Sequence, residues 1–177
     1  MIVKTLIALF LAASFAGAAP QVPDMKPPAE LKQLGFLVGD FEGQNKFFEP
    51  DGSSKSSPAT IKASMAVGGR FLSWGYKGNM PGFGDVEGLL LMTYDADSKK
   101  FLGWWYDNAG SRPMEMSGGF EGEKLVMTSL PSNAPGMEGA VFRSTFSKKS
   151  ATEVAFLLES KMGDQWMTFI DGSYKKK

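Results

Sequence analysis

Few side chains in this sequence could do chemistry, and most of them gather around one stretch. Glu87 and Asp107 lie near the two ends of Gly84 to Asn108. A buried carboxylate pair performs acid-base work when its surroundings push the two pKa values apart. The same residues have a plainer use as caps of turns and strand ends. Met114 and Met116, two residues apart, put two thioethers on one strand face. With Met80, Met92 and Met127 nearby they would form the soft sulfur set that selects Cu(I). Eleven methionines spread along the chain without tight repeated spacing fit packing better than copper. Arg143 is one of three arginines against 16 lysines and sits in an otherwise apolar segment. Facing a lumen, its fork would hold a carboxylate or phosphate bidentately; facing outward, it would be exposed or ion-paired. Val141 and Thr145 share its face while Phe142 and Phe146 share the other, so alternation leaves both orientations open.

Composition removes more chemistry than it adds. The chain has no histidine, hence no imidazole base, no usual zinc site and no histidine-ligated haem. It has no cysteine, hence no disulfide, thiol nucleophile or lipoprotein anchor. No G-x-S-x-G elbow, phosphate loop or metal-ligand spacing occurs. No cofactor and no enzymatic activity are expected; a carboxylate-based enzyme is the second alternative.

The first 19 residues read as a secretory signal peptide. Lys4 precedes an apolar run from Leu6 to Ala13, and Ala16-Gly17-Ala18-Ala19 offers small residues at cleavage spacing. The run is shorter than a spanning helix needs, so no membrane anchor is expected, and the mature protein should be soluble in the periplasm or secreted. Without that segment 18 basic residues face 19 acidic ones. This balance gives no reason to expect nucleic acid as a partner.

The elements that would position these side chains are strands. Val86 to Tyr94 and Phe101 to Tyr106 flank Asp95-Ala96-Asp97-Ser98-Lys99-Lys100, which predicts a hairpin. Both runs are apolar at nearly consecutive positions, so each strand should be covered on two faces. Ala29 to Leu34 offers one or two helical turns after Pro27-Pro28, with Gly35 placed to end them. Asp40 to Phe48 follows as a strand with Phe41, Gly43, Asn45 and Phe47 on one face. In the next, Ile61, Ala63, Met65 and Val67 alternate with polar residues and should point inward. Leu72, Trp74 and Tyr76 lie opposite Lys77, which should face water.

Further strands at Arg112 to Gly118, Leu125 to Leu130, Ala140 to Ser147, Glu153 to Lys161 and Gln165 to Tyr174 bring the count to about ten. Sequential hairpins with no helical insert argue for an antiparallel meander, and a meander this long closes to protect its edges. The expected fold is all-β: a single antiparallel β-barrel with a short N-terminal helix covering one end. The expected organisation is signal peptide 1–19, leader 20–28 and barrel 29–177. A two-sheet sandwich is the alternative.

Leu34-Gly35-Phe36-Leu37-Val38-Gly39-Asp40-Phe41-Glu42-Gly43 resembles the opening of lipocalin-like (calycin-type) bacterial barrels. Gly69-Arg70-Phe71-Leu72, Glu87-Gly88 with Tyr94-Asp95, and Phe101 with Trp105-Tyr106-Asp107 resemble a family of secreted or cytosolic bacterial proteins catalogued as a domain of unknown function. The resemblance spans nearly the whole mature chain and implies the barrel. It is distantly similar to nitrobindin-type barrels, which bind haem through a histidine that this chain lacks.

A ten-stranded barrel can be filled or can hold a ligand. The inferred inward set is Phe41, Met65, Trp74, Tyr76, Trp105, Met114 and Met116, rich in rings and thioethers. The functional expectation is a lumen for a small hydrophobic or amphipathic ligand, with Arg143 as its polar anchor. A filled core serving a structural or protein-interaction role, homodimerisation included, is the alternative.

Overall fold

Inward apolar residues at every second position make ten strands, and the strands curl until the first meets the last. The computed structural model describes residues 25–49, 51–132 and 136–177, so the expected signal peptide and leader residues 20–24 lie outside the described residues. In chain order the strands are β1 (Gly39–Phe48), β2 (Ser54–Ala66), β3 (Phe71–Met80), β4 (Gly84–Asp95), β5 (Lys100–Asp107), β6 (Met114–Glu121), β7 (Lys124–Ser129), β8 (Phe142–Lys148), β9 (Glu153–Met162) and β10 (Gln165–Lys176). Each pairs antiparallel with the next, and β1 pairs with β10 from Phe41↔Lys176 to Phe47↔Ile170. The expected ten-stranded closed barrel is therefore the fold.

The inner wall follows the expected alternation over most of its course. Phe41, Asn45 and Phe47 of β1, Ile61 and Ala63 of β2, and Leu72, Trp74 and Tyr76 of β3 are all buried. Pro58 is tolerated in β2 because it pairs with Gln44 of β1 while β3 joins only from Ala59↔Gly78.

A helix closes one end, but it is a 3₁₀ helix and runs over Ala29–Leu37, past Gly35. Leu31, Leu34 and Leu37 are spaced three apart, which three residues per turn bring onto a single face. That face is buried in the barrel end, with Leu34 and Leu37 wholly inaccessible. Burial of three leucines sustains a 3₁₀ run longer than is usual. Phe36 adds an edge-to-face contact with Phe120 at 6.5 Å.

Two expectations are corrected. Met65 has the inward parity but is 37% exposed, and Val67 more so. The β1 ladder stops at Gly39↔Ala63, so the β2–β3 hairpin projects past the wall and Met65 has no lumen to enter. Secondly, the central hairpin is not covered on both faces. Leu89 pairs with Tyr106 and Leu91 with Trp104 on the outer wall, where Leu89 and Tyr106 are exposed. A register shift between Thr168 and Ile170 also interrupts the alternation of β10. It leaves Trp166 on the outer wall while Ile170, Gly172 and Tyr174 line the inside, as one extra residue in a bulge must.

Candidate ligand-binding site

The barrel interior is packed solid at the helix end and hollow at the other. Trp74 and Tyr174 form the division, with ring centroids 6.3 Å apart and nearly perpendicular planes. On the helix side of them Leu37, Phe41, Ile61 and Val154 close up with no space for a water molecule. On the other side lies a cavity of about 120 Å³. Its deep wall includes Phe146 and Phe156, both in ring contact with Trp74. Met80, Val86, Asp107 and Met114 line it near the strand ends and are half-buried, so it opens among the loops opposite the helix.

Glycines make the space that the larger side chains occupy. A Cβ on Gly88 would lie 2.2 Å from the Trp105 ring, and one on Gly103 would meet Met116 at 2.9 Å and Met127 at 3.1 Å. Glycine at these inward positions lets the indole of Trp105 lie flat against β4, where its ring also meets Tyr76 at 6.1 Å. The indole Nε1 donates to Asp107 Oδ2 at 2.7 Å, and the other carboxylate oxygen accepts from the Ala109 amide at 3.0 Å. Asp107 thus holds the ring in place at the cavity mouth.

Three polar side chains are bonded together inside. Asn45 Nδ2 donates to the Tyr76 hydroxyl at 2.8 Å, while the Tyr174 hydroxyl donates to Asn45 Oδ1. Gly172 gives this group room, since a Cβ there would fall 2.6 Å from Asn45 Oδ1. Burial pushes the Tyr76 hydroxyl above the ordinary phenol pKa, against a smaller opposing effect of the Asn45 bond. Burial does the same more strongly at Tyr174, helped by the neighbouring Tyr76. Both phenols are therefore neutral hydrogen-bonding groups through the physiological range. Ser144 of β8 also lines the cavity, and no hydrogen bond ties its hydroxyl to another of the described residues; no fully buried side-chain nitrogen or oxygen among them lacks a partner.

Of the residues expected at the site, Trp74, Tyr76, Trp105, Met114 and Met116 come together around the cavity. Phe41 packs below it in the solid half, and Met65 is outside. Arg143 is corrected from the lumen to the outer wall. It alternates with the buried Phe142, Ser144 and Phe146, and its guanidinium forms a two-point ion pair with Glu159, Nε to Oε2 at 2.7 Å and Nη2 to Oε1 at 2.9 Å. Arg143 and Glu159 face each other across β8 and β9, and the Trp166 ring covers the guanidinium at 4.4 Å. Glu87 and Asp107 do not share a site, because Glu87 is on the outer face in an exposed ion pair with Lys77 at 2.9 Å. Met80 joins Met114 and Met116 at the cavity, whereas Met92 and Met127 are core residues.

Sequence reasoning missed Asn45, Ser144 and Tyr174 as site residues. A signal existed for the first two, since Asn45 is a polar residue on the face of Phe41 and Phe47 and Ser144 lies between Phe142 and Phe146.

Comparison with solved structures finds the crystal structure of Rv2717c from M. tuberculosis at a TM-score of 0.64. The two share 11% identity, with 86% of this chain and 99% of that one covered, which is a likeness of fold. Comparison with curated proteins finds no match. Residues 26–176, nearly all of the described chain, match the family model described as "Protein of unknown function (DUF1579)", and the protein belongs to that family.

Proposed function

We propose that this protein is a binding barrel that takes a small apolar or amphipathic molecule into its lumen through the end opposite the helix. The observation that carries this reading is the half-filled interior. A chain selecting for stability alone fills its lumen to the density of a crystal, yet here a cavity of about 120 Å³ is kept open beside rings fixed by glycine gaps and a carboxylate. An engineered cavity of about 150 Å³ with apolar walls binds benzene, so this space suits one ring or a short chain. Long-chain fatty acids and haem exceed it. Binding without covalent chemistry fits the lipocalin-like reading of the barrel, and the signal-peptide pattern over Met1 to Ala19 supports action after export.

The test is titration of the protein with toluene, indole and butanol, read by tryptophan emission and by melting temperature. Ligand entry should change the emission of Trp74 and Trp105, and Trp105→Phe should remove part of the response. If no compound changes either signal up to its solubility limit, the lumen does not bind ligands.

A second reading, an interaction barrel that forms homodimers, is favoured by the outer-wall pairs Leu89–Tyr106 and Leu91–Trp104. Light scattering should then give a dimer that Tyr106→Lys converts to a monomer.

A further inference from the structure

We propose that the lumen selects an uncharged, compact molecule carrying a hydrogen-bond acceptor, recognised by the hydroxyls of Ser144 and Tyr76. This rests on the lumen-binding reading above and specifies its ligand class. Two donors are left over inside the cavity. The Ser144 hydroxyl borders the cavity with Phe146 and Leu158, and no hydrogen bond ties it to another of the described residues. The Tyr76 oxygen accepts from Asn45, and its own proton is donated to none of the described residues; the Tyr174 proton is already committed to Asn45. Ser144 and Tyr76 both line the cavity, and no fully buried side-chain nitrogen or oxygen among the described residues lacks a partner, so a ligand oxygen would accept from these hydroxyls in the place a water molecule could take.

Charge decides the rest. Among the described residues lining the cavity, Asp107 is the one acidic or basic residue. The cation that would have met an anionic head group, Arg143, is on the outer wall and committed to Glu159. An anion entering this lumen would be desolvated with no countercharge and would pass a carboxylate on the way, which strongly disfavours it. A cation would meet Asp107 at the mouth, but both oxygens of that carboxylate already accept hydrogen bonds. Neutral hydroxyls facing rings and thioethers suit a phenol, alcohol or ketone of about one ring.

The experiment compares toluene, p-cresol and 4-methylbenzoate at pH 7 on the full chain, wild type and Ser144→Ala, by calorimetry and tryptophan emission. These probes share one ring and methyl group and differ in the substituent: none, a neutral hydroxyl, or an anion. We expect p-cresol to bind most tightly, toluene more weakly, and 4-methylbenzoate at least tenfold more weakly than p-cresol. Ser144→Ala should weaken p-cresol about threefold to tenfold and change toluene less than about twofold. Tyr76→Phe should act in the same sense. If 4-methylbenzoate binds as tightly as p-cresol, the charge selection is overturned while lumen binding stands. If Ser144→Ala and Tyr76→Phe both leave p-cresol unchanged, hydroxyl recognition is overturned. Failure of all three probes, toluene included, overturns the lumen-binding reading itself.

Discussion

Removal of one oxygen from Tyr174 tests whether the buried polar group is a structural hub. In Tyr174→Phe the ring stays and Asn45 Oδ1 loses its donor. Turning the amide over would let the Tyr76 hydroxyl donate to Oδ1 but would leave Nδ2 against the new ring, so one amide atom stays without a partner either way. Tyr174 is 1% exposed and Asn45 3%, so a buried acceptor is orphaned at a cost of about 1–3 kcal/mol. For a domain of this size each kcal/mol moves the melting temperature by about 2–4 °C, which predicts a fall of roughly 2–12 °C. Tyr76→Phe is the internal control. It orphans Asn45 Nδ2 beside the cavity, which is large enough for a replacement water, so its cost should stay below about 1 kcal/mol. The assay is urea unfolding followed by circular dichroism and tryptophan emission, with the slope of the transition compared among variants to confirm that unfolding is unchanged in kind. Equal costs for the two variants, or a larger cost for Tyr76→Phe, would refute the reasoning, because Tyr174 is the more deeply buried of the two phenols, 1% exposed against 9% for Tyr76.

Arg143→Lys should cost about 1 kcal/mol by breaking the two-point pair with Glu159 and its cover by Trp166, and it should leave ligand titrations unchanged; loss of binding would put the arginine back in the lumen. Gly88→Ala should destabilise by about 1–3 kcal/mol and shift the tryptophan emission, since the new methyl group must displace the Trp105 ring. Stability should fall in alkali: the folded-state pKa values of Tyr76 and Tyr174 are raised, so their contribution is whole below the unfolded value near 10 and is lost as pH rises through the folded values. Unfolding free energies measured from pH 8 to 11 should decline less steeply in the Tyr76→Phe/Tyr174→Phe double variant, and equal slopes would contradict the assignment.

How much the sequence revealed depended on whether a residue's environment is local. The inward faces of β1 and β3 were legible because polar residues alternate with rings and only one phase makes sense, as with Trp74 and Tyr76 against Lys77. Arg143 was not legible. Apolar residues flank it on both faces, and the partner that decides the matter, Glu159, is 16 residues away on another strand. The end of the lumen was also hidden. Met65 keeps the right phase, but nothing local says that β1 stops pairing at Ala63. Tyr174 was assigned to neither face, and the bulge between Thr168 and Ile170 means that strict alternation does not carry from Trp166 to the C-terminal rings. The 3₁₀ helix, by contrast, was written plainly in leucines three apart, and reading Gly35 as a stop concealed it.

The pairing of β1 with β10 has a consequence for how the chain acquires its shape. Phe41 and Lys176 become neighbours across nearly the whole chain, so the seam is the most expensive loop to close and should form late, on the slow millisecond-to-second scale of barrels. Until then β1 and β10 each have a raw edge, and a chain shortened by its last dozen residues would keep one permanently and aggregate along it. Asn45 stands on one side of that seam and Tyr174 on the other. Their bond should be absent from the folding transition state, so Tyr174→Phe should hasten unfolding and leave the refolding rate nearly untouched.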